Sequence, residues 1–206
     1  MFALVESGKI TKYLRGNKGI TIGDNKYPQA IFTLWSKDER EAIGIYDIET
    51  DSTNFKDQQW YINTNESFTF ANNKVTRSWG TATAKAHADT LWTQEDSDNG
   101  DLPSDKSVGD VKVRGLKYNL IQTIKQQAAG ILQDTDWYIV RKADAGTAVP
   151  SSITTHRAAV RTKAAEMETA ITNAADTPAL ETLYTYTKQE DGSITRPLGE
   201  LPTLES

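Results

Sequence analysis

The sequence predicts an α+β protein: a small antiparallel β-rich N-terminal domain followed by a helical module built on an αα-hairpin. Three observations predict it. Aromatic and β-branched residues alternate with polar ones at a period of two through the first half. Apolar residues recur every four or seven positions after residue 110. Charge changes sharply between the halves: residues 1–93 carry no net charge, 94–110 carry −5, 111–163 carry +6 and 164–206 carry −6. The expected organisation is a β-rich domain with one short helix over 1–93, an acidic linker over 94–110, a helical module over 111–187 and an extended tail over 188–206.

Phe2-Ala3-Leu4-Val5 and Lys9 to Leu14 flank Ser7-Gly8, a turn pair between apolar runs, which predicts a β-hairpin. Ile20-Thr21-Ile22 is a short alternating run bounded by Gly19 and Gly23-Asp24-Asn25. Ser36 and Glu39 form a capping-box spacing and Gly44 stands where a helix ends, so a helix is expected over 37–43. Ile45 to Glu49 reads as the next strand. Trp60 to Thr64, Ser67 to Phe70 and Lys74 to Trp79 follow as half-buried antiparallel strands, with Asn65-Glu66 and Asn72-Asn73 as turns.

Residues 94–110 are dominated by Asp, Gly, Ser and Pro and show no apolar period, which predicts a linker. Leu116, Leu120, Ile124, Ala128 and Leu132 then place an apolar stripe on a helix over about 110–133. Asp136 to Val140 is β-prone. Ser151 or Ser152 is expected to cap a second long helix, with Ile153, Val160, Met167 and Ala174 on one face, widened by Ala164 and Ile171. Antiparallel pairing of the two helices would bury both stripes. Thr177-Pro178 begins a third helix through Tyr184. The polar tail after Tyr186 is expected to be extended or mobile.

Composition narrows function. The chain has 206 residues, a formal charge of −5, no cysteine and two histidines. Acidity argues against a global electrostatic grip on nucleic acid or anionic lipid. Without cysteine there is no disulfide staple, thiolate metal site or cysteine nucleophile. No segment approaches the roughly 18 apolar residues of a membrane span, and the start lacks the pattern of a secretory signal.

The chemical motifs are sparse. Gly16-Asn17-Lys18-Gly19 lacks P-loop spacing and reads as a turn. His87, near Asp89, has no neighbouring nucleophile, and His156 reads as part of a solvated helix face. Placing Gly100 at position 6 of a calcium loop puts Glu95 at 1, Ser97 at 3 and Lys106 at 12, so an EF-hand fails. Glu166 and Glu168 point to different sides of a helix and make a poor glycosidase pair. The basic run Lys112 to Lys117 could touch a nucleic acid, but it has little aromatic content and lies beside a loop of net −5. The +6 block over 111–163 is instead expected to pair with an acidic partner, in this chain or another. Trp60, Phe68, Phe70, Trp79 and Trp92 are expected to be mostly core, any left outside serving as interface anchors.

Ile131 to Tyr138, followed by Val149-Pro150 and Arg157-Ala158-Ala159-Val160-Arg161, resembles a segment of tailed-bacteriophage tail proteins, among them tail-fibre assembly proteins, tail assembly chaperones and small tail accessory proteins. The stretch with Tyr27-Pro28, Trp35 and Glu39 to Ile45 is similar to marine phage structural proteins. The resemblance spans about 116–172 and 20–50. It implies a non-enzymatic structural component of the virion, tail or tail-fibre associated, acting by protein–protein docking. The alternative is a transient assembly chaperone. A third class, a cell-wall hydrolase, would need a carboxylate pair or a His-centred cluster in a cleft. The expected interface residues are Trp60, Trp79, Trp92, Trp137, Arg157 and Arg161. Expected partners are other virion proteins and further copies of the chain, with no cofactor, metal, nucleic acid or membrane. The expected location is the virion, assembled in the host cytoplasm.

Overall fold

Ser7 and Gly8 take positive φ of 50° and 76°, the backbone of a tight hairpin turn whose twist matches its strands. They join β1 (Phe2–Glu6) to β2 (Lys9–Leu14), paired antiparallel with a register shift at Leu4/Val5. The computed structural model describes residues 1–204 and is mixed α/β, with 36% helix and 23% strand. The chain divides into two units, Met1–Thr83 and a second from Ala84 on.

In the first unit, β3 (Ile20–Ile22) and β4 (Asn25–Tyr27) form a small hairpin. Two short helices follow, α1 (Ile31–Leu34) and α2 (Lys37–Ala42). The Ser36–Glu39 capping box is formed in both directions, as its spacing predicts. Then come β5 (Ile45–Thr50), β6 (Tyr61–Ile62), β7 (Ser67–Ala71) and β8 (Lys74–Ser78). A two-residue strand, β9 (Thr83–Ala84), lies where the units divide.

The main sheet has the order β2-β1-β5-β8-β7. It is rich in antiparallel pairs, but β5 and β8 run parallel, Ile48 opposite Val75. The segment after β5 delivers β7 to the far edge, and the Asn72-Asn73 turn returns β8 beside β5 in the same direction. A purely antiparallel domain is therefore corrected to a mixed sheet.

Alternation along the central strands buries both faces of the sheet. Leu4 and Ile45 join Leu14, Ile20, Ile31 and Phe32 on one face. Ala3, Val5 and Val75 pack with Tyr46, Ile48 and Phe70 on the other. Each fully buried Ile or Leu contributes about 1.5–3 kcal/mol relative to an exposed one. The sheet curls, and its edge strands approach through Tyr13 and Phe68, whose ring centroids are 4.7 Å apart.

In the second unit, β10 (Thr90–Leu91) pairs with β11 (Val111–Val113). Between them α3 (Gln94–Asp98) occupies the start of the expected linker. Its signal is a second capping box: Thr93 Oγ1 accepts the Asp96 N–H, and Asp96 accepts the Thr93 N–H at 2.9 Å. The acidic stretch thus lies inside a unit rather than between two, and α4 (Leu116–Gln133) starts later than 110 because residues 111–113 are held in β11. Gly115 offers no side-chain cap. The Ala86 and His87 carbonyls accept from Leu116 and Lys117 instead, and Asp89 accepts from Gly115 at 2.8 Å.

Residues 136–140, expected to be β-prone, belong to α5 (Asp136–Ala145), closed by Gly146 at φ 67°. Strand propensity depends on a sheet to join, and none is offered here. Next is α6 (Ser151–Asn173), preceded by Pro150, with no serine side-chain cap. Three contacts give the direction of α6 against α4: Arg157 with Leu132, Lys125 with Glu168, and Lys117 with Thr172. The helices are antiparallel, burying Ile124 and Ala128 with Ile153, Val160, Ala164, Met167 and Ile171.

Asp176 caps α7 (Thr177–Tyr184), with Pro178 in its first turn. The tail departs from expectation: β12 (Thr187–Lys188) and β13 (Ile194–Thr195) form a hairpin, and Leu198 is buried. Leu198 is apolar in a polar segment, and its N–H donates to the Leu183 carbonyl at 3.0 Å. Glu205 and Ser206, the end of the expected tail, lie outside the described residues.

Candidate docking surface

In the first unit, aromatic rings are largely consumed by one another. Trp60 is 3 % exposed and belongs to the core, so it is not available as an interface anchor. Trp79 is half-buried between Phe55, at 4.7 Å, and the Arg77 guanidinium, at 4.5 Å. Phe70 packs on Tyr46 and Phe68 on Tyr13.

In the second unit, Trp92 is half-buried beneath the Lys112 ammonium, 4.4 Å from its ring. Lys112 also pairs with Asp96 at 2.5 Å. That hydrogen bond, with those from the Thr93 backbone and hydroxyl, holds the Asp96 carboxyl down to about 2. Asp89 is lowered in the same way by the Gly115 N–H and by Arg114. Lys112 and Arg114 of the +6 block therefore find acidic partners within the chain.

Arg157 is buried, which removes it from the exposed interface set. Its role is architectural. Nη1 donates to the Leu132 carbonyl and to Thr135 Oγ1, each at 2.6 Å, and Nη2 donates to Asp136 at 2.8 Å. One guanidinium thus ties the end of α4 and the start of α5 to α6, using the planar fork of donors that only arginine has. Nothing local in the sequence announces this network, because its partners lie 21 to 25 residues away.

Helix α5 is held by that knot yet buries no residue of its own. Trp137 is 51 % exposed and Val140 65 %. Three residues apart, they share a helix face. Arg141, one turn beyond Trp137, lays its guanidinium 4.6 Å from the indole centroid. Ile139 is exposed on another side. Arg141, Lys142 and the exposed Arg161 make no ion pair among the described residues. The result is an apolar pair beside the Arg141 guanidinium, on a helix tied to α6.

His156 is buried in α6 rather than solvated, because its position falls beside the apolar stripe. His87 is half-buried, and its carbonyl caps α4. Glu166 and Glu168 are drawn to different lysines, Lys163 and Lys125. Among the described residues no group of three or more His, Asp or Glu side chains converges to hold a metal, and no helix is long and apolar enough to cross a membrane. No family model, curated protein or solved structure matches this chain.

Proposed function

We propose that this chain is a non-enzymatic structural component of a tailed-phage particle, associated with the tail or its fibres and acting by protein–protein docking. In this reading the β-rich N-terminal domain and the helical αα-hairpin module engage different neighbours. The single observation that carries it is α5, where Trp137 and Val140 stand exposed on a helix pinned by the buried Arg157. Tryptophan and arginine beside an apolar neighbour make up the usual composition of a binding hot spot. A fixed helix loses little conformational freedom on docking, which favours affinity. The resemblance of residues 116–172 to tail proteins supplies the class of partner.

The experiment is mass spectrometry of purified particles, with the natural chain and with a Trp137→Ala/Val140→Ser variant. The natural chain is expected in stoichiometric amount. The variant is expected to fold, by circular dichroism, and to be depleted from particles. A chain present in assembling cells and absent from finished particles overturns the virion reading in favour of a transient chaperone. Clearing of host cell wall in a zymogram overturns the non-enzymatic one.

A further inference from the structure

The first unit carries a second surface, unrelated to α5. Strand β2 is an edge of the main sheet, hydrogen-bonded to β1 on one side only. No backbone hydrogen bond joins it to β7 among the described residues, although the rings of Tyr13 and Phe68 touch. Its outer N–H and C=O groups therefore have no strand pairing, although β7 closes in at Tyr13.

Where β2 ends, the chain turns through residues 15–19 and opens a groove of about 620 Å³. Its floor is apolar, from the buried Leu14, Ile20 and Phe32. Its rim carries Lys12, Arg15 and Lys18, all exposed. None of the three makes an ion pair or a side-chain hydrogen bond among the described residues, and no carboxylate lines the groove. A second groove of about 360 Å³ shares Tyr13, Leu14 and Arg15 and continues toward Phe68 and the Arg77–Glu66 ion pair, whose charges offset each other.

Lysines on an edge strand ordinarily guard it against pairing with like strands. The same charges select for a strand of opposite sign. An unpaired edge offers backbone donors and acceptors at a spacing that only another polypeptide complements. A nucleic acid would meet a unit with no net charge over residues 1–83 and three uncompensated cations, a weak field for a polymer with one phosphate per nucleotide.

We infer that the β2 edge and the Lys12–Arg15–Lys18 groove form a docking site for an acidic, extended peptide segment of a partner protein. The carboxylates lie along the cationic rim, and alternate apolar side chains reach the Leu14–Phe32 floor. The partner adds a strand outside β2 ahead of the Tyr13–Phe68 contact. The site does not depend on α5, so its failure and that of the virion reading are separable.

The test uses the full chain and a fluorescein-labelled synthetic peptide alternating Glu with Val, read by fluorescence anisotropy. Saturable binding is expected, weakening steeply as salt rises. The peptide with Lys in place of Glu should not bind. Lys12→Glu/Arg15→Glu/Lys18→Glu should weaken the acidic peptide by more than about tenfold and gain the lysine peptide. Lys12→Gln/Arg15→Gln/Lys18→Gln should weaken the first and bind neither well. Circular dichroism is expected to show both variants folded, since the three side chains are exposed. Hydrogen exchange should slow in β2 on binding. Absence of saturable binding, binding unchanged in both variants, or no protection in β2 overturns the proposal. Tighter binding of a single-stranded oligothymidylate than of the acidic peptide overturns it in favour of a nucleic-acid site.

Discussion

Arg157 Nη2 lies 2.8 Å from Asp136 Oδ1, and the two ends of this ion pair sit in different media: the arginine side chain is 8 % exposed, the aspartate 56 %. Their contributions to stability differ accordingly. Arg157→Ala leaves the Leu132 carbonyl and Thr135 hydroxyl without their donor and opens a void. The expected loss is about 2–4 kcal/mol. Asp136→Asn removes a half-solvated charge and should cost under about 1 kcal/mol. Arg157→Lys should fall between them, because an ammonium cannot reproduce the fork. Urea unfolding of the three variants checks this, and equal losses at both ends would contradict it.

Asp96 predicts an acid limb. Its carboxyl is lowered from 3.8 to about 2, first by Lys112, then by the Thr93 N–H and hydroxyl. The folded protein therefore binds this proton less readily than the unfolded chain. The contribution is complete above about pH 4 and is lost as pH falls through about 2. Asp89, also lowered, acts in the same direction at the start of α4. Carboxyl NMR titration should find Asp96 still ionised at pH 3. Lys112→Met should move its midpoint upward, and an unmoved midpoint would remove Lys112 as the chief cause.

Gly44 predicts a steric limit. It takes φ 82°, and an added Cβ would stand 2.6 Å from the Val5 carbonyl oxygen. The Gly44 carbonyl also accepts the Val5 N–H at 2.8 Å, so the backbones cannot part without breaking the join between β1 and the turn before β5. Gly44→Ala should cost about 1–3 kcal/mol or more. Gly23→Ala is the control: it has positive φ with nothing within 4 Å and should cost only the backbone strain, about 1–2 kcal/mol. Equal thermal shifts in the two would show that crowding at Val5 does not matter.

Particular residues show why some of the fold was legible. Ser7-Gly8 and Asn72-Asn73 act through their own backbone preferences, so the hairpins could be read directly. Ser36–Glu39 caps across three residues, and Ile153 to Ile171 marks a buried face by spacing alone. The Thr93–Asp96 capping box was equally local, but the acidic composition around it points to a linker. Trp137 to Val140 misleads because those residue types favour strands, whereas here they stand on a helix anchored from α6. Of the candidate docking residues, Trp137 and Arg161 are exposed, whereas Trp60 and Arg157 are buried.

Sequence alone determined the capped start of α2, the tight turns, the apolar faces of α4 and α6, and the shortage of catalytic residue types. These are set by interactions within a few residues, whose geometry is the same wherever the chain goes. Only the tertiary structure decided that β8 runs parallel to β5, that Leu198 docks the tail, and that Arg157 holds α5 from beneath. Each of those joins groups far apart along the chain, chosen by which surfaces meet once the whole unit has closed. Local preference carries no record of that choice.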